Sequence, residues 1–166
     1  MITGERFEAE SLKFMAEEFL KAGSLARVAL IDDGRADALI VVDAPRLEGD
    51  EADEVMLRLA VLAAKIGAVG VAVGAEAWVT TMGREEADRY RRGDVARSAA
   101  RREVVVVTVQ HYGLRGGATS MWLADVLRPD DAGPSLSGFT RMDDASPLGG
   151  SMVGLLPAAP SSAGAN

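Results

Sequence analysis

The sequence contains no cysteine and a single histidine, His111, among its 166 residues. Without cysteine the chain forms no disulfide, offers no thiolate nucleophile and builds no cysteine-ligated zinc site. One histidine excludes any site that needs two imidazoles from one chain. The sequence also lacks a P-loop, a GxGxxG turn, a GxSxG elbow and a zinc-protease helix, so no motif fixes a reaction and we predict no cofactor.

Long apolar runs and an excess of positive charge are absent as well. No apolar stretch approaches the roughly 20 residues that span a bilayer, and the charged residues 1–10 are unlike a secretory signal. The net charge of −7 argues against nucleic acid as a partner. By default we expect a cytoplasmic protein that binds neither membrane nor nucleic acid.

The second half of the chain is dominated by β-strand patterns. Apolar residues alternate with period two, or run continuously, in residues 68–81, 102–112 and 118–127. The run Val104 to Val107 is β-branched throughout, which predicts a central strand buried on both sides. The glycine-rich residues 112–117 predict a hairpin, so the last two strands should be antiparallel. Gly70, Ala72 and Gly74 share one strand face, where a helix or another backbone could approach closely.

The first half combines helix and hairpin patterns. Apolar residues recur with helical spacing in residues 5–21 and 50–66, which predicts two amphipathic helices. Between them, Asp33-Gly34 is a dipeptide that suits a two-residue type I′ turn, so we predict a hairpin of residues 27–32 and 35–43.

The predicted order is therefore α-β-β-α-β-β-β, an α+β fold with a mostly antiparallel sheet and both helices on one face. We assign residues 1–128 to a single domain, with a charged insertion at 84–101. Residues 129–166 are rich in Pro, Gly, Ser and Ala and predict a flexible tail. Within it, Phe139 and the apolar residues 152–157 are candidates to anchor the tail on this domain or on a neighbour.

Two residues are candidate catalytic groups. Glu76 lies two positions before Trp78, on the same face of a strand of small residues. This arrangement could supply a general acid or base beside a ligand stacked on Trp78, but we favour a carboxylate at the sheet rim, paired with an arginine of the insertion. His111 ends its strand, where it could serve as a base or a lone metal ligand, although an exposed histidine is the favoured interpretation.

The same residues also give the candidate metal site. Asp43 follows an apolar run and has no turn role of its own, unlike Asp33. Together Asp43, Glu76 and His111 would make a metal-binding set, provided that their side chains converge.

Arginines crowd the charged insertion and the strand that follows it. The candidate binding residues, with Trp78, are Arg89, Arg91, Arg92 and Arg102. They could meet an anionic substrate or grip a nucleic-acid backbone locally. A run of mixed charge is more often a solvated loop with local ion pairs, which we favour.

Short motifs in this region resemble a group of small bacterial and phage-like α+β proteins. The motifs are AEAW at residues 75–78, an arginine-rich connection, and RREVVVVTVQH at residues 101–111. In that group a strand ending in (S/A)EAW precedes a charged loop and a strand opened by an Arg-Arg/Lys-Glu-hydrophobic run. The resemblance covers residues 60–127, and the long insertion and the tail depart from the pattern. The group has no established activity, so the resemblance implies the architecture and the importance of Glu76, Trp78, Arg102 and Glu103, but no substrate.

Two hypotheses of function follow. The leading one is a non-enzymatic binding or assembly module, which forms a homo-oligomer or meets a protein partner through the sheet or the tail. The alternative is a small metal-assisted hydrolase or nuclease-like enzyme that uses Asp43, Glu76 and His111.

Overall fold

The order of the elements confirms the predicted α+β class. The structure is a computed structural model that describes residues 2–35, 39–43, 50–80, 85, 89, 91, 94–114, 119–142 and 155. Its elements are α1 (Gly4–Ala22), β1 (Val28–Asp32), β2 (Ile40–Asp43), α2 (Asp50–Ile66), β3 (Gly70–Val79), α3 (Asp94–Arg97), β4 (Arg102–His111), β5 (Thr119–Leu127), β6 (Ser135–Leu136) and β7 (Thr140–Arg141).

The described strands form one antiparallel sheet in the order β2-β1-β3-β4-β5-β6, and β7 also pairs with β5. β3 and β4 are its longest pair, matched from Gly70 opposite His111 to Val79 opposite Arg102. The prediction that the valine run of β4 is central is confirmed, and Val104, Val105 and Val107 are at most 1% exposed, whereas Val106 is only partly buried.

Helix α1 covers one face of the sheet. It buries Phe7, Met15 and Phe19 completely. The glycines of β3 allow this contact: a Cβ on Gly70 would lie 3.1 Å from the Phe7 ring, and one on Gly74 would lie 2.5 Å from Met15 Sδ. The predicted close approach of a helix to these small residues is confirmed.

Helix α2 covers the opposite face, whereas the sequence analysis placed both helices on one face. Met56, Leu59 and Ala63 of α2 share a buried cluster with the sheet residues Ala29, Ile31, Val71 and Val73. The sheet residues of this cluster alternate along β1 and β3 with the residues that α1 covers, which are Val28, Leu30 and Ala72. Because both faces of β1 and β3 are apolar, each face needs a helix to exclude water.

Helix α1 is amphipathic. On α1 the exposed side carries the ion pairs Arg6–Glu10, Lys13–Glu17 and Glu18–Lys21. Within the described residues, neither helix is long and apolar enough to cross a membrane.

The connection between β1 and β2 is longer than the predicted two-residue turn. The last matched pair is Ile31 with Ile40, so the strands diverge well before Gly34. Gly34 has the positive φ, 71°, that the sequence predicted for a turn glycine, and Asp33 accepts the Arg35 N–H at 3.0 Å. Residues 36–38 lie outside the described residues.

The segment after β5 belongs in part to the sheet, which corrects the prediction of a tail from residue 129. β6 and β7 both pair with β5, and Phe139 between them packs against the α1 side of the core. Strands of two residues are too short to show a period in the sequence. Farther on, Leu155 is buried in the α2-side cluster, and its N–H donates to Gln110 Oε1 at 2.9 Å. The other residues beyond 142 lie outside the described part of the chain.

Candidate functional site

The three residues of the candidate metal site lie far apart. His111 is matched with Gly70, six residues from Glu76 along β3, which corresponds to about 20 Å at roughly 3.3 Å per residue. Asp43 lies on the edge strand β2, separated from β3 by β1. Among the described residues, no group of three His, Cys, Asp or Glu side chains is placed to hold a metal ion. The structure therefore does not bring Asp43, Glu76 and His111 together.

Glu76 anchors the connection between α1 and β1. Its side chain is only 6% exposed, and Oε1 accepts the Leu25 N–H at 2.7 Å. Leaving a buried N–H unpaired costs about 1–3 kcal/mol, so this bond stabilises the connection. Nη2 of Arg128 lies 4.0 Å from Oε1. This geometry supports the structural interpretation of Glu76, although Arg128 follows β5 and does not belong to the insertion.

Arg128 joins the end of α1 to the sheet. Its Nε and Nη2 donate to the two carboxylate oxygens of Glu103 at 2.9 and 2.6 Å, and its Nη1 donates to the Gly23 carbonyl at 3.2 Å. The hydrogen bonds to Glu103, followed by the charges of Glu103 and Glu76, raise the pKa of Arg128 above its usual value. Glu103 and Glu76 thus share one guanidinium, which neutralises much of the negative charge at this end of the sheet.

Trp78 is the exposed aromatic residue of this region. It is 46% exposed, and the Arg101 guanidinium lies 4.8 Å from the centroid of its ring. The cavity between Trp78, Glu76, Ala77 and Glu103 has a volume of about 70 Å³. That volume admits a few water molecules but is well below the roughly 300 Å³ at which ligand pockets begin.

Two described arginines in and after the insertion, Arg97 and Arg102, make ion pairs. Asp94, the first residue of α3, accepts the Arg91 N–H and an Arg97 Nη2–H, both at 2.6 Å. The backbone bond from Arg91 and then the Arg97 bond hold the pKa of Asp94 below its usual value. Arg102 pairs with Asp125 at 2.8 Å. Arg91 also donates to the Arg89 carbonyl at 3.3 Å.

This arrangement supports the interpretation of a solvated loop. In the described part of this region, Asp94 and Asp125 neutralise the charges of Arg97 and Arg102. The candidate residue Arg92 lies outside the described residues.

Asp32 and His111 form a buried pair that was not predicted from the sequence, where an exposed His111 was the favoured interpretation. The two side chains are 0% and 5% exposed, and His111 Nε2 lies 3.3 Å from Asp32 Oδ2. The Gly113 N–H donates to His111 Nδ1 at 2.8 Å, so the ring proton is on Nε2 and points at Asp32. Asp32 Oδ1 accepts the Gly34 N–H at 2.7 Å. With both ring nitrogens engaged and buried, the pair fastens β1 to β4 and leaves no open position for a substrate.

A second polar cluster fastens α1 to β5. Glu8 Oε1 accepts hydrogen bonds from Ser120 Oγ and from Trp122 Nε1, the latter at 3.0 Å. The partners are more than one hundred residues apart in the chain, so no local pattern could reveal them. The cluster positions the helix and holds no metal-binding or nucleophilic set.

Among the described residues, β2 and α2 expose several large apolar side chains. Ile40 and Val41 on β2 are 40% and 48% exposed, and Leu57 and Val61 on α2 are 66% and 47% exposed. Between these elements lies a cavity of about 190 Å³ whose lining is mostly apolar and includes Val42. Exposed apolar surface of this kind marks sites of interaction with other proteins.

Comparison with known proteins does not assign the chain to a family. No protein-family model, no curated protein and no solved structure matches it. The resemblance of residues 60–127 therefore rests on its short motifs and brings no activity. Function has to be inferred from the geometry of the chain itself.

Proposed function

We propose that the protein is a non-enzymatic assembly module that pairs with a second copy of itself through the edge strand β2. The observation that carries this proposal is the apolar, exposed β2 edge. Within the described residues β1 is the strand neighbour of β2 on one side, and the other side has none. An uncovered strand presents free backbone donors and acceptors, which a second strand can satisfy.

The two edges of the sheet differ in a way that supports this proposal. On the far side β5 is capped by β6 and β7, each of two residues. Short strands of this kind blunt an edge against further pairing. The sequence of β2, Ile40–Asp43, contains no lysine, arginine or proline, the residues that commonly protect an edge.

Pairing of β2 with itself is compatible with its charge. A two-fold axis at Val41 pairs this residue with its own copy and places Asp43 of one copy opposite Leu39 of the other, so the two carboxylates do not face each other. The paired strands would continue the sheet across both copies, with the two Val41 side chains opposite each other and Ile40 of each copy opposite Val42 of the other. The contact is isologous, so it gives a closed dimer.

Val41→Lys is the direct test of this pairing. A charged side chain on an exposed edge opposes strand addition, and Val41 is half exposed, so the fold should tolerate the change. The variant should lose the part of the association that is made through β2, so its mass in sedimentation velocity should be below that of the parent chain. Leu20→Lys, which places the same charge at a residue of α1 that is 56% exposed, is the matched control and should leave the association unchanged. Equal association of the parent chain and Val41→Lys would refute the edge contact.

The metal-assisted alternative has no comparable support. Its three residues are separated by the strand register, and Glu76 and His111 each already satisfy a buried backbone N–H.

A further inference from the structure

The outer face of α2 carries an apolar stripe that the sheet does not use. Leu57 and Val61 are one helical turn apart and point away from the buried side, which is made by Met56, Leu59 and Ala63. A helix that is apolar on its outer side as well as on its inner side is suited to a second packing partner.

Charge along this outer face is segregated. Glu51, Asp53 and Glu54 lie in the first half of α2, and Lys65 lies in its last turn. Glu54 is paired with Arg58 of the same helix at 2.5 Å but keeps 59% of its side chain exposed. The helix dipole has the opposite polarity, positive at the acidic end and negative at the basic end. The stripe therefore has negative side chains at its N-terminal end and Lys65 at its C-terminal end, and Arg58 between them is paired with Glu54 of its own helix.

Such a face is complementary to itself only when a second copy lies antiparallel. Leu57 of one helix then meets Val61 of the other. Glu54 precedes Leu57 by about one turn, and Lys65 follows Val61 by about one turn. In this register Glu54 lies opposite Lys65 of the second copy at both ends of the contact. A parallel arrangement would instead place like charges side by side.

We propose that the outer face of α2 is a second contact between copies of this chain, in which two α2 helices pack antiparallel about a two-fold axis beside Leu57 and Val61. This contact is separate from the β2 edge and does not depend on it. A single helix pair is at the small end of protein interfaces, so we expect it to dissociate in the micromolar range. A chain with two different isologous contacts forms a tetramer or a larger assembly, not a dimer alone.

Charge reversal tests the contact. Glu54→Lys or Lys65→Glu alone places like charges opposite each other across the two-fold axis and should reduce the assembly to the dimer held by β2. The double variant Glu54→Lys/Lys65→Glu restores opposite charges between copies and should restore the larger assembly. Within one helix the two positions are eleven residues apart, about 16 Å, so a rescue cannot arise inside a single chain.

The matched control is Glu17→Lys on α1, which also removes an i, i+4 ion pair from an exposed helix surface. It should leave the mass in sedimentation velocity unchanged. Circular dichroism of each variant checks that the fold is retained.

Because the chain has no cysteine, a mixture of Leu57→Cys and Val61→Cys variants gives a second measurement. Under mild oxidation it should cross-link faster than either variant alone.

The outcomes separate this contact from the sheet edge. Loss of the larger assembly in the single charge variants, with rescue in the double variant, supports the α2 contact. Single variants that assemble like the parent chain, or a double variant that fails to rescue, overturn it. If Val41→Lys has no effect while the α2 variants dissociate the protein, the edge contact is wrong and the α2 contact stands. If the parent chain is monomeric, for example because its own C-terminal residues cover α2, both the β2 contact and the α2 contact are wrong.

Discussion

Asp32 and His111 meet across the middle strand of the sheet, directly above Gly70. Asp32 on β1 is matched with Gly70 on β3, and Gly70 is matched with His111 on β4. Because glycine has no side chain, the carboxylate and the imidazole reach each other over the strand that separates them. Three strands are thereby fastened at one end by a single polar contact inside an apolar core.

Replacing Asp32 should destabilise the fold markedly. In Asp32→Ala the buried His111 Nε2–H and the Gly34 N–H both lose their acceptor. Each buried donor left unpaired costs about 1–3 kcal/mol, so urea denaturation should show a loss of several kcal/mol. Asp33→Ala, which removes only the bond to the exposed Arg35 N–H, is the control and should cost much less. Equal losses in the two variants would show that the buried pair does not stabilise the sheet.

Gly70 should tolerate no side chain. A Cβ at this position would lie 2.5 Å from His111 Cδ2 and 3.1 Å from Phe7 Cε1, and both neighbours are buried. Gly70→Ala should lower the free energy of unfolding by about 1–3 kcal/mol, as overpacking of a core does. Gly133→Ala, whose Cβ would meet nothing within 4 Å, serves as the comparison in the same denaturation experiment. An unchanged midpoint for Gly70→Ala would contradict the close contact between β3, α1 and His111.

Glu76 should behave as a hydrogen-bond acceptor and not as a catalytic acid or base. Glu76→Ala leaves the Leu25 N–H unpaired and should cost about 1–3 kcal/mol in thermal or urea unfolding. Glu76→Gln keeps an acceptor oxygen and should retain most of that stability. If the two variants lose the same amount, the charge near Arg128 is the important feature and the bond to Leu25 is not.

Asp94 should titrate below the ordinary range of aspartate. Its pKa is lowered first by the bond from the Arg91 N–H and then by the bond from Arg97. A carboxyl group whose pKa is lower in the folded state contributes stability above its unfolded pKa of about 3.9 and loses it as the pH falls through the folded value. Carbon-detected NMR titration should therefore show a low pKa for Asp94, with the α3 turn loosening only at strongly acidic pH. In Asp94→Asn the turn should no longer respond to pH, and a normal pKa for Asp94 would contradict the observed bonds.

The regular elements could be predicted because their signals are local. Helical spacing located α2 at residues 50–66, and period two located β3 and β5 to within two residues. Periodicity indicates that a helix has an apolar face, but it does not indicate which side of the sheet the helix covers. The placement of α1 and α2 on opposite sides was therefore not predicted. β6 and β7 pair over two residues each, too few to leave a pattern in the sequence.

The polar contacts could not be predicted, because each depends on strand order. Asp32 and His111 become neighbours only when β1, β3 and β4 lie side by side with Gly70 between them. The partners of Glu8 on β5 depend in the same way on where α1 crosses the sheet. The residues of the candidate metal site do not meet because the strand register separates them. The sequence alone does not show this register.

Self-association of the 166-residue chain is tested most directly by sedimentation equilibrium over the micromolar range at moderate salt. We expect a weight-average mass above that of one 17.4 kDa chain, rising with concentration. A mass of a single chain at every concentration would contradict an assembly module that meets its own copy through β2 or α2.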